Sequence, residues 1–421
     1  MATTLERPAA MTAHEHAHPA DNSLAAVEAL FSRMAGPQPP MQFTGVPGAR
    51  YNMAGGQPDP VSLPRQELAE IAGELLAGEE GPASLMYGDP AGYQGLREAL
   101  AAKLQRWERL SITPDEIVVV NGSLHGLAIV ARAVLNPGEA AIVEAPTFMG
   151  ALRPLRQLQA RVESVPIDAE GLRPDLLEET LQALRSAGTP AKLLYTIPNF
   201  HNPAGVTMSL ERRRRVAELA DEYNFVILED DAYGELRISG DHVTPILGLA
   251  SPGRVVRSAT LSKILAAGLR VGYLTGAKEV VSRINGMKLD GGAGPFTNRV
   301  AARWIAAHHD AHVRRLIDIY RHKRDALLRG LDRGLAGSGG ARPTWHVPEG
   351  GFFLWVKLPA GIDSERVRQE TEQRSVAYVP GPLFFADGTG REYIRLAWSM
   401  LSAEDLEQAG ALVGESIAAA R

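Results

Sequence analysis

The segment IVVVNGSLHGLAIVARAVL, Ile117 to Leu135, switches its hydrophobic period once, and that switch decides the fold. Its first part is an unbroken run of Ile and Val, the pattern of a strand covered on both faces rather than one half in water. Gly122 and Ser123 break the run, and apolar residues then recur at helical spacing as far as Leu135. The same motif returns along the chain. AAIVEA (Ala140 to Ala145), LLYTIP (Leu193 to Pro198) and FVILEDD (Phe225 to Asp231) are short apolar runs, each followed by a Gly/Pro turn or a helical pattern. Upstream, Gly92 to Trp107 reads as an amphipathic helix. Buried strands alternating with helices predict an α/β fold with a mostly parallel central sheet flanked by helices.

Past residue 300 the pattern changes. A long helical stretch, Arg299 to Leu331, leads into the strands GFFLWVKL, VAYV and YIRLAW and then a final helix, which predicts a smaller α+β C-terminal domain. The expected divisions are a disordered tail over 1–22, an N-terminal helix and arm over 23–63, a large domain over 64–310 and a small one over 311–421. The arm, rich in Gly and Pro over 47–64, is expected to pack on the small domain and the active site. The run Arg212 to Arg215 opens a predicted helix and reads as a solvated face.

Composition narrows the chemistry. The 421 residues include no cysteine, which excludes disulfides, thiolate metal ligands and a cysteine nucleophile. A net charge of −5 gives no footing for a nucleic-acid or acidic-membrane partner. No stretch approaches the roughly 20 apolar residues that span a bilayer, and the first residues lack a signal-peptide pattern, so the cytoplasm is the default. His14, His16 and His18 belong to the tail, where nothing fixes a ligand geometry, and no metal site is expected.

Five segments carry residues suited to a reaction. In ATLSKILAAGLRVGY, Ala259 to Tyr273, the hydroxyls of Thr260 and Ser262 and the guanidinium of Arg270 suit a phosphate, and Lys263 beside them can condense with an aldehyde. In YTIPNFHNPAGVTMS, Tyr195 to Ser209, a strand runs into a sharp turn bearing Asn202, at the sheet edge where α/β folds bind ligands. In FVILEDDAYGEL, Phe225 to Leu236, three carboxylates close an apolar strand. That is costly without partners, and one of them can pair with a protonated pyridine nitrogen or cap the next helix. Ser123, at a helix start, exposes amides that favour phosphate. Arg395, alone in the apolar strand EYIRLAW, needs an anion, either a structural carboxylate or that of a substrate.

Taken in order, YGDPAGYQGLREALA, GS, EAPTFMG, PNFHNPAG, EDDAYGE, the Ser-Lys segment with its arginine, PEGGFFLWVKLP and YIRLAW resemble the fold-type I, class I/II aminotransferases, particularly the kynurenine and α-aminoadipate branch. The resemblance spans nearly the whole chain. It implies pyridoxal 5'-phosphate held by Lys263 as a Schiff base, with Lys263 also the proton carrier. It implies Asp230 on the pyridine nitrogen, Asn202 and Tyr233 on the ring hydroxyl, and Phe148 stacked on the ring. Ser123, Leu124 through its backbone, Thr260, Ser262 and Arg270 would bind the phosphate, joined by Tyr87 from the other subunit of a homodimer. Arg395 and Asn202 would take the substrate carboxylate, with Gly55 and Gly56 on the arm above it. Tyr51, Phe296, Phe353 and Trp398 would form an apolar wall, with Met287, Lys288 and Asp290 nearby.

Leu124 and His125 stand where the family often has two glutamines, His201 where it has Gln, Ala267 where it has Pro, and Phe148 where it often has Tyr. The implied reaction is transfer of an amino group from an L-amino acid to a 2-oxo acid, with 2-oxoglutarate the expected acceptor. The same residues serve elimination, γ-replacement, cyclisation or oxidation on one scaffold. An aminotransferase-like transcription regulator is disfavoured, because the residues ahead of the arm show no helix-turn-helix pattern.

Overall fold

The computed structural model describes Val27 and residues 30–35, 46–337 and 341–420. The expected tail and most of the helix expected from Ser23 lie outside the described residues. The arm contributes a two-residue strand, β1 (Tyr51–Asn52). The central sheet is built from β2 (Ile117–Asn121), β3 (Ala140–Ala145), β4 (Arg161–Asp168), β5 (Gly171–Leu172), β6 (Ala191–Thr196), β7 (Val226–Asp231), β8 (Val255–Thr260) and β9 (Val271–Thr275). Its order is β2-β9-β8-β7-β6-β3-β4-β5. From β8 through β7, β6 and β3 to β4 all pairings are parallel, while β9 runs antiparallel between β2 and β8.

The unbroken apolar runs fall where full burial requires them. Ile117 to Val120 of β2 and Val255 to Thr260 of β8 are buried along their whole length, with helices on both faces of the sheet. Parallel pairing aligns the carboxyl ends of β3, β6, β7 and β8 at one edge. The antiparallel β9 starts at that same edge and runs away from it, so Gly272 pairs with Thr260 and Arg270 stands just before the strand. This topology brings together residues from six separate segments.

A second sheet has the order β10-β11-β14-β13, from β10 (Thr344–Trp345), β11 (Phe353–Lys357), β13 (Val379–Pro380) and β14 (Tyr393–Ala397). β1 pairs in parallel with β12 (Val376–Ala377), which anchors the arm. The helices His309–Gly334 and Ala403–Ala419 cross closely because Gly330, Gly334, Gly410 and Gly414 line the contact, where any Cβ would strike the facing backbone. The long helical stretch expected over 299–331 is two helices, Pro295–Ala307 and His309–Gly334, parted at His308 with φ −125°. The imidazole of His309, next to the break, is buried between Glu235 and Asp310.

The arginine run is not a solvated face throughout. Arg213 is fully buried and donates to the carbonyls of Pro198 (2.8 Å), Met208 (3.0 Å), Val243 (3.3 Å) and Thr244 (3.2 Å) and to Asn199 Oδ1 (2.7 Å). Arg212 is paired with Asp168. Arg213 therefore ties down the turn after β6. Replacing it with methionine strands several buried acceptors, at a cost of about 3 kcal/mol. Arg213→Met should unfold at a distinctly lower denaturant midpoint than the parent chain.

Candidate active site

At the carboxyl edge of the central sheet lies a cavity of about 510 Å³. One end is built for an anion. Gly122, with φ +79°, carries the chain from β2 into the helix Ser123–Val134, whose first residues, Ser123 and Leu124, line the opening. A Cβ at Gly122 would collide with the Arg270 guanidinium, so glycine is what lets that side chain lie across the helix start. Thr260 and Ser262 close this end, their hydroxyls 2.8 Å apart and the Ser262 N–H donating to Thr260 Oγ1 at 3.1 Å.

In the floor of the cavity sits Asp230. Strand alternation separates the three acids of β7. Glu229 accepts from the backbone N–H groups of Ile246 and Leu247 at 3.0 Å each, Asp231 pairs with Arg257, and Asp230 faces the cavity. Asp230 Oδ2 accepts from Tyr195 at 2.7 Å, whereas Oδ1 is buried with no partner among the described residues. Burial pushes the Asp230 carboxyl up to about 7, against the pull of the Tyr195 hydrogen bond.

Lys263 extends from the loop after β8 and donates to the Gly56 carbonyl at 2.6 Å. Burial first, then the charges of Arg395 and Arg270, push its amine down to about 8. Arg395, on β14, donates to Asn202 Oδ1 at 3.0 Å and to the Ala54 carbonyl at 2.6 Å, and lies over the Phe353 ring at 4.2 Å. Among the described residues no carboxylate pairs with it, and its Nε is buried without a partner. Burial pushes it down to about 10. A buried guanidinium lacking a counter-ion is a receptor for an anion, so of the two readings open to Arg395 the structural carboxylate is excluded among the described residues.

Most residues named from the sequence meet here: Ser123, Leu124, Phe148, Asn202, Asp230, Tyr233, Thr260, Ser262, Lys263, Arg270, Arg395 and Gly56 all line the cavity. Tyr51 does not. Its ring is buried against the core beside β12, with the Arg50 guanidinium 4.9 Å above it. Of the apolar wall, Phe353 lines the cavity, Trp398 is fully buried core and Phe296 packs against that core. Met287, Lys288 and Asp290 lie outside the cavity lining, where Lys288 donates to the Val119 carbonyl and Asp290 accepts from Asn121. Tyr87 is 98% exposed on this chain. Gln57, Met149 and Ile197 also line the cavity and were not singled out in the sequence. Each adjoins a motif that was. Among the described residues no cluster suited to a metal ion occurs, and no helix is long and apolar enough to cross a membrane.

Residues 53–411 match the family model for aminotransferase class I and II. The chain belongs to that family. This aminotransferase is 37% identical to aromatic-amino-acid aminotransferase 1 of Thermococcus litoralis, over 87% of each chain. Its fold matches the multiple substrate aminotransferase of Thermococcus profundus with a TM-score of 0.87 and 33% identity, over 94% of this chain and 98% of that one. A kynurenine aminotransferase of Pyrococcus horikoshii, solved in complex with PMP, with KYN as substrate and KYA as product, superposes with a TM-score of 0.86 and 33% identity over the same shares.

The departures from the family pattern have local explanations. Leu124 turns into the cavity beside Phe148, while His125 Nδ1 accepts from the Asn121 N–H at 3.2 Å. His201 is buried: its Nδ1 accepts from the Ala204 N–H, so its Nε2–H donates to Glu144 at 3.0 Å. Glu144 also accepts from Thr196 and from the Ile197 N–H, which joins the ends of β3 and β6.

Only the neutral amine of Lys263 attacks an aldehyde, and its fraction grows as pH rises through about 8 instead of above 10. Borohydride trapping of a small aldehyde at residue 263, read by peptide mass on the cofactor-free protein, should be half-maximal near pH 8, and the label at that position should be lost in Lys263→Arg. A midpoint near 10 would show that the amine is not held in a dry, cationic site.

Proposed function

We propose that this enzyme moves the amino group of a neutral, apolar or aromatic L-amino acid to a 2-oxo acid, with 2-oxoglutarate as acceptor and pyridoxal 5'-phosphate as cofactor. The observation that carries the reading is one cavity that joins Asp230 Oδ1 and Arg395 Nε, each buried without a partner among the described residues, to a hydroxyl-lined helix start at Ser123. They match a pyridinium nitrogen, a substrate carboxylate and a phosphate in turn. Once bound, pyridoxal 5'-phosphate supplies an aldehyde that takes up the amine and a ring that draws electrons from the α-carbon.

The chain's own residues do the rest. Ser123, Thr260, Ser262 and Arg270 would hold the phosphate, and Asp230 would keep the ring nitrogen protonated. Asn202 and Tyr233 would hydrogen-bond the ring hydroxyl, with Phe148 and Leu124 beside the ring. Lys263 would hold the cofactor through its Nζ and, when free, would carry the proton away from the α-carbon, a task suited to an amine lowered to about 8. Arg395 fixes the α-carboxylate with Asn202 beside it.

Beyond these groups the lining is Leu124, Phe148, Met149, Ile197 and Phe353, with Gln57 the one further polar side chain that lines it. An apolar wall favours a neutral side chain, and the Gln57 amide can donate to the distal carboxylate of the acceptor. The exposed Leu85, Met86, Tyr87 and Leu289 support a homodimer that brings Tyr87 to the partner's phosphate.

Mixed with pyridoxal 5'-phosphate and single amino acids without any oxo acid, the protein should release the matching 2-oxo acid in one half-turnover, fastest for aromatic and large apolar substrates. Lys263→Ala should abolish this. Arg395→Lys, which keeps the charge but loses the fork, should weaken kcat/KM by about a hundredfold. Continuous product release with no oxo acid present would refute transfer.

A further inference from the structure

Tyr195 lies within β6, and its hydroxyl reaches across to β7 to donate to Asp230 Oδ2 at 2.7 Å. Both side chains are buried. The second carboxylate oxygen, Oδ1, has no partner among the described residues although Asp230 lines the cavity. The terminal torsion of an aspartate is soft, and an unheld carboxylate can turn either oxygen toward a ligand. We propose that Tyr195 is a positioning residue for the cofactor: it pins Asp230 through Oδ2 and leaves Oδ1 as the acceptor for the pyridine nitrogen. The assignment rests on the pyridoxal-phosphate reading above.

The surroundings explain why such a donor is needed. Asp230 is desolvated, and the carboxylates of Asp231 on its own strand and Glu144 on β3 both disfavour its charge. Two groups act the other way, the Tyr195 hydrogen bond and the more distant charge of Lys263, with the hydrogen bond the stronger. The Tyr233 ring also lines this part of the cavity and adds no positive charge. Lys263 cannot serve as a constant partner, because its amine is consumed when it holds an aldehyde. Tyr195 can. Burial and the neighbouring carboxylate push its phenol well above the ordinary value, so it stays a neutral donor throughout the working range. A histidine in its place would titrate there, and a serine or threonine is too short to span the two strands.

The test uses Tyr195→Phe, Asp230→Asn and the double variant, each titrated with pyridoxal 5'-phosphate by absorbance across a range of pH. Phenylalanine keeps the ring in the core and removes only the hydroxyl. Tyr195→Phe should bind the cofactor about tenfold more weakly. The pH at which binding and the visible absorption band of the bound cofactor change should move up by about one unit. The double variant should bind no worse than Asp230→Asn alone, because Tyr195 acts through that carboxylate. A purely structural hydroxyl would lower the melting temperature and leave the pH midpoint in place, which overturns the assignment. A further tenfold loss in the double variant overturns it too. If the parent chain takes up no cofactor, the cofactor reading falls and this assignment with it; uptake by the parent with an unmoved Tyr195→Phe profile overturns this assignment alone.

Discussion

Asp230, Lys263 and Arg395 line one cavity, Asp230 and Arg395 buried and Lys263 partly so, and among the described residues none of them forms an ion pair. That is the constraint to which the surrounding structure answers. A buried charge without a partner drifts toward its neutral form, and each of the three has moved that way, Asp230 up to about 7, Lys263 down to about 8 and Arg395 down to about 10. Left to relax, such groups would turn toward one another or toward solvent. Neutral partners prevent it: the Gly56 and Ala54 carbonyls on the arm and Asn202 Oδ1 in the turn after β6 accept from Lys263 and Arg395, and Tyr195 inside the sheet donates to Asp230.

Those holding groups are themselves fixed from behind. Asp231, one residue beyond Asp230, joins Arg257 and Glu108 in a buried cluster that continues through Lys103 to Glu235 and His309. The cluster ties β7 and β8 to the helices packed against them. Because neighbouring strand residues face opposite ways, anchoring Asp231 on one side sets the direction of Asp230 on the other. The arm is fixed likewise, by the ion pair of Asp59 with Lys323 at 3.0 Å and by the Tyr320 hydroxyl, which accepts from the Asp59 N–H. Rigid supports of this kind keep reacting groups within the small tolerances that proton transfer demands.

Much of this was legible from the sequence, and the reason is local. A parallel sheet needs strands covered on both faces, so β2, β3, β6 and β7 announce themselves as unbroken apolar runs. The site residues follow at strand ends, where a turn must occur anyway. What escaped the sequence depends on distant partners. Arg213 sits in a run of four arginines, and only the turns it clamps distinguish it from the solvated ones. Tyr195 reads as one more apolar strand residue until β7 is placed beside it. Tyr51 carries no sign that pairing with β12 would draw its ring into the core and away from the cavity. The helix break at His308 is equally silent, since Glu235, which receives the His309 imidazole, is far off in the chain.

The charges that the cavity lacks are those that its expected ligands carry. On the proposed reading, a phosphate dianion would bring negative charge to the end lined by Ser123 and Arg270. A protonated ring nitrogen would give Asp230 Oδ1 a donor, and a substrate carboxylate would neutralise Arg395. Each would offset part of the cost of burying these groups, so the native state would be stabilised by mass action as the cofactor accumulates. The same argument explains why the groups are kept apart. Were Asp230 paired with Lys263 or Arg395, binding would first have to break a buried ion pair, and free energy that could orient the substrate would go into separating them.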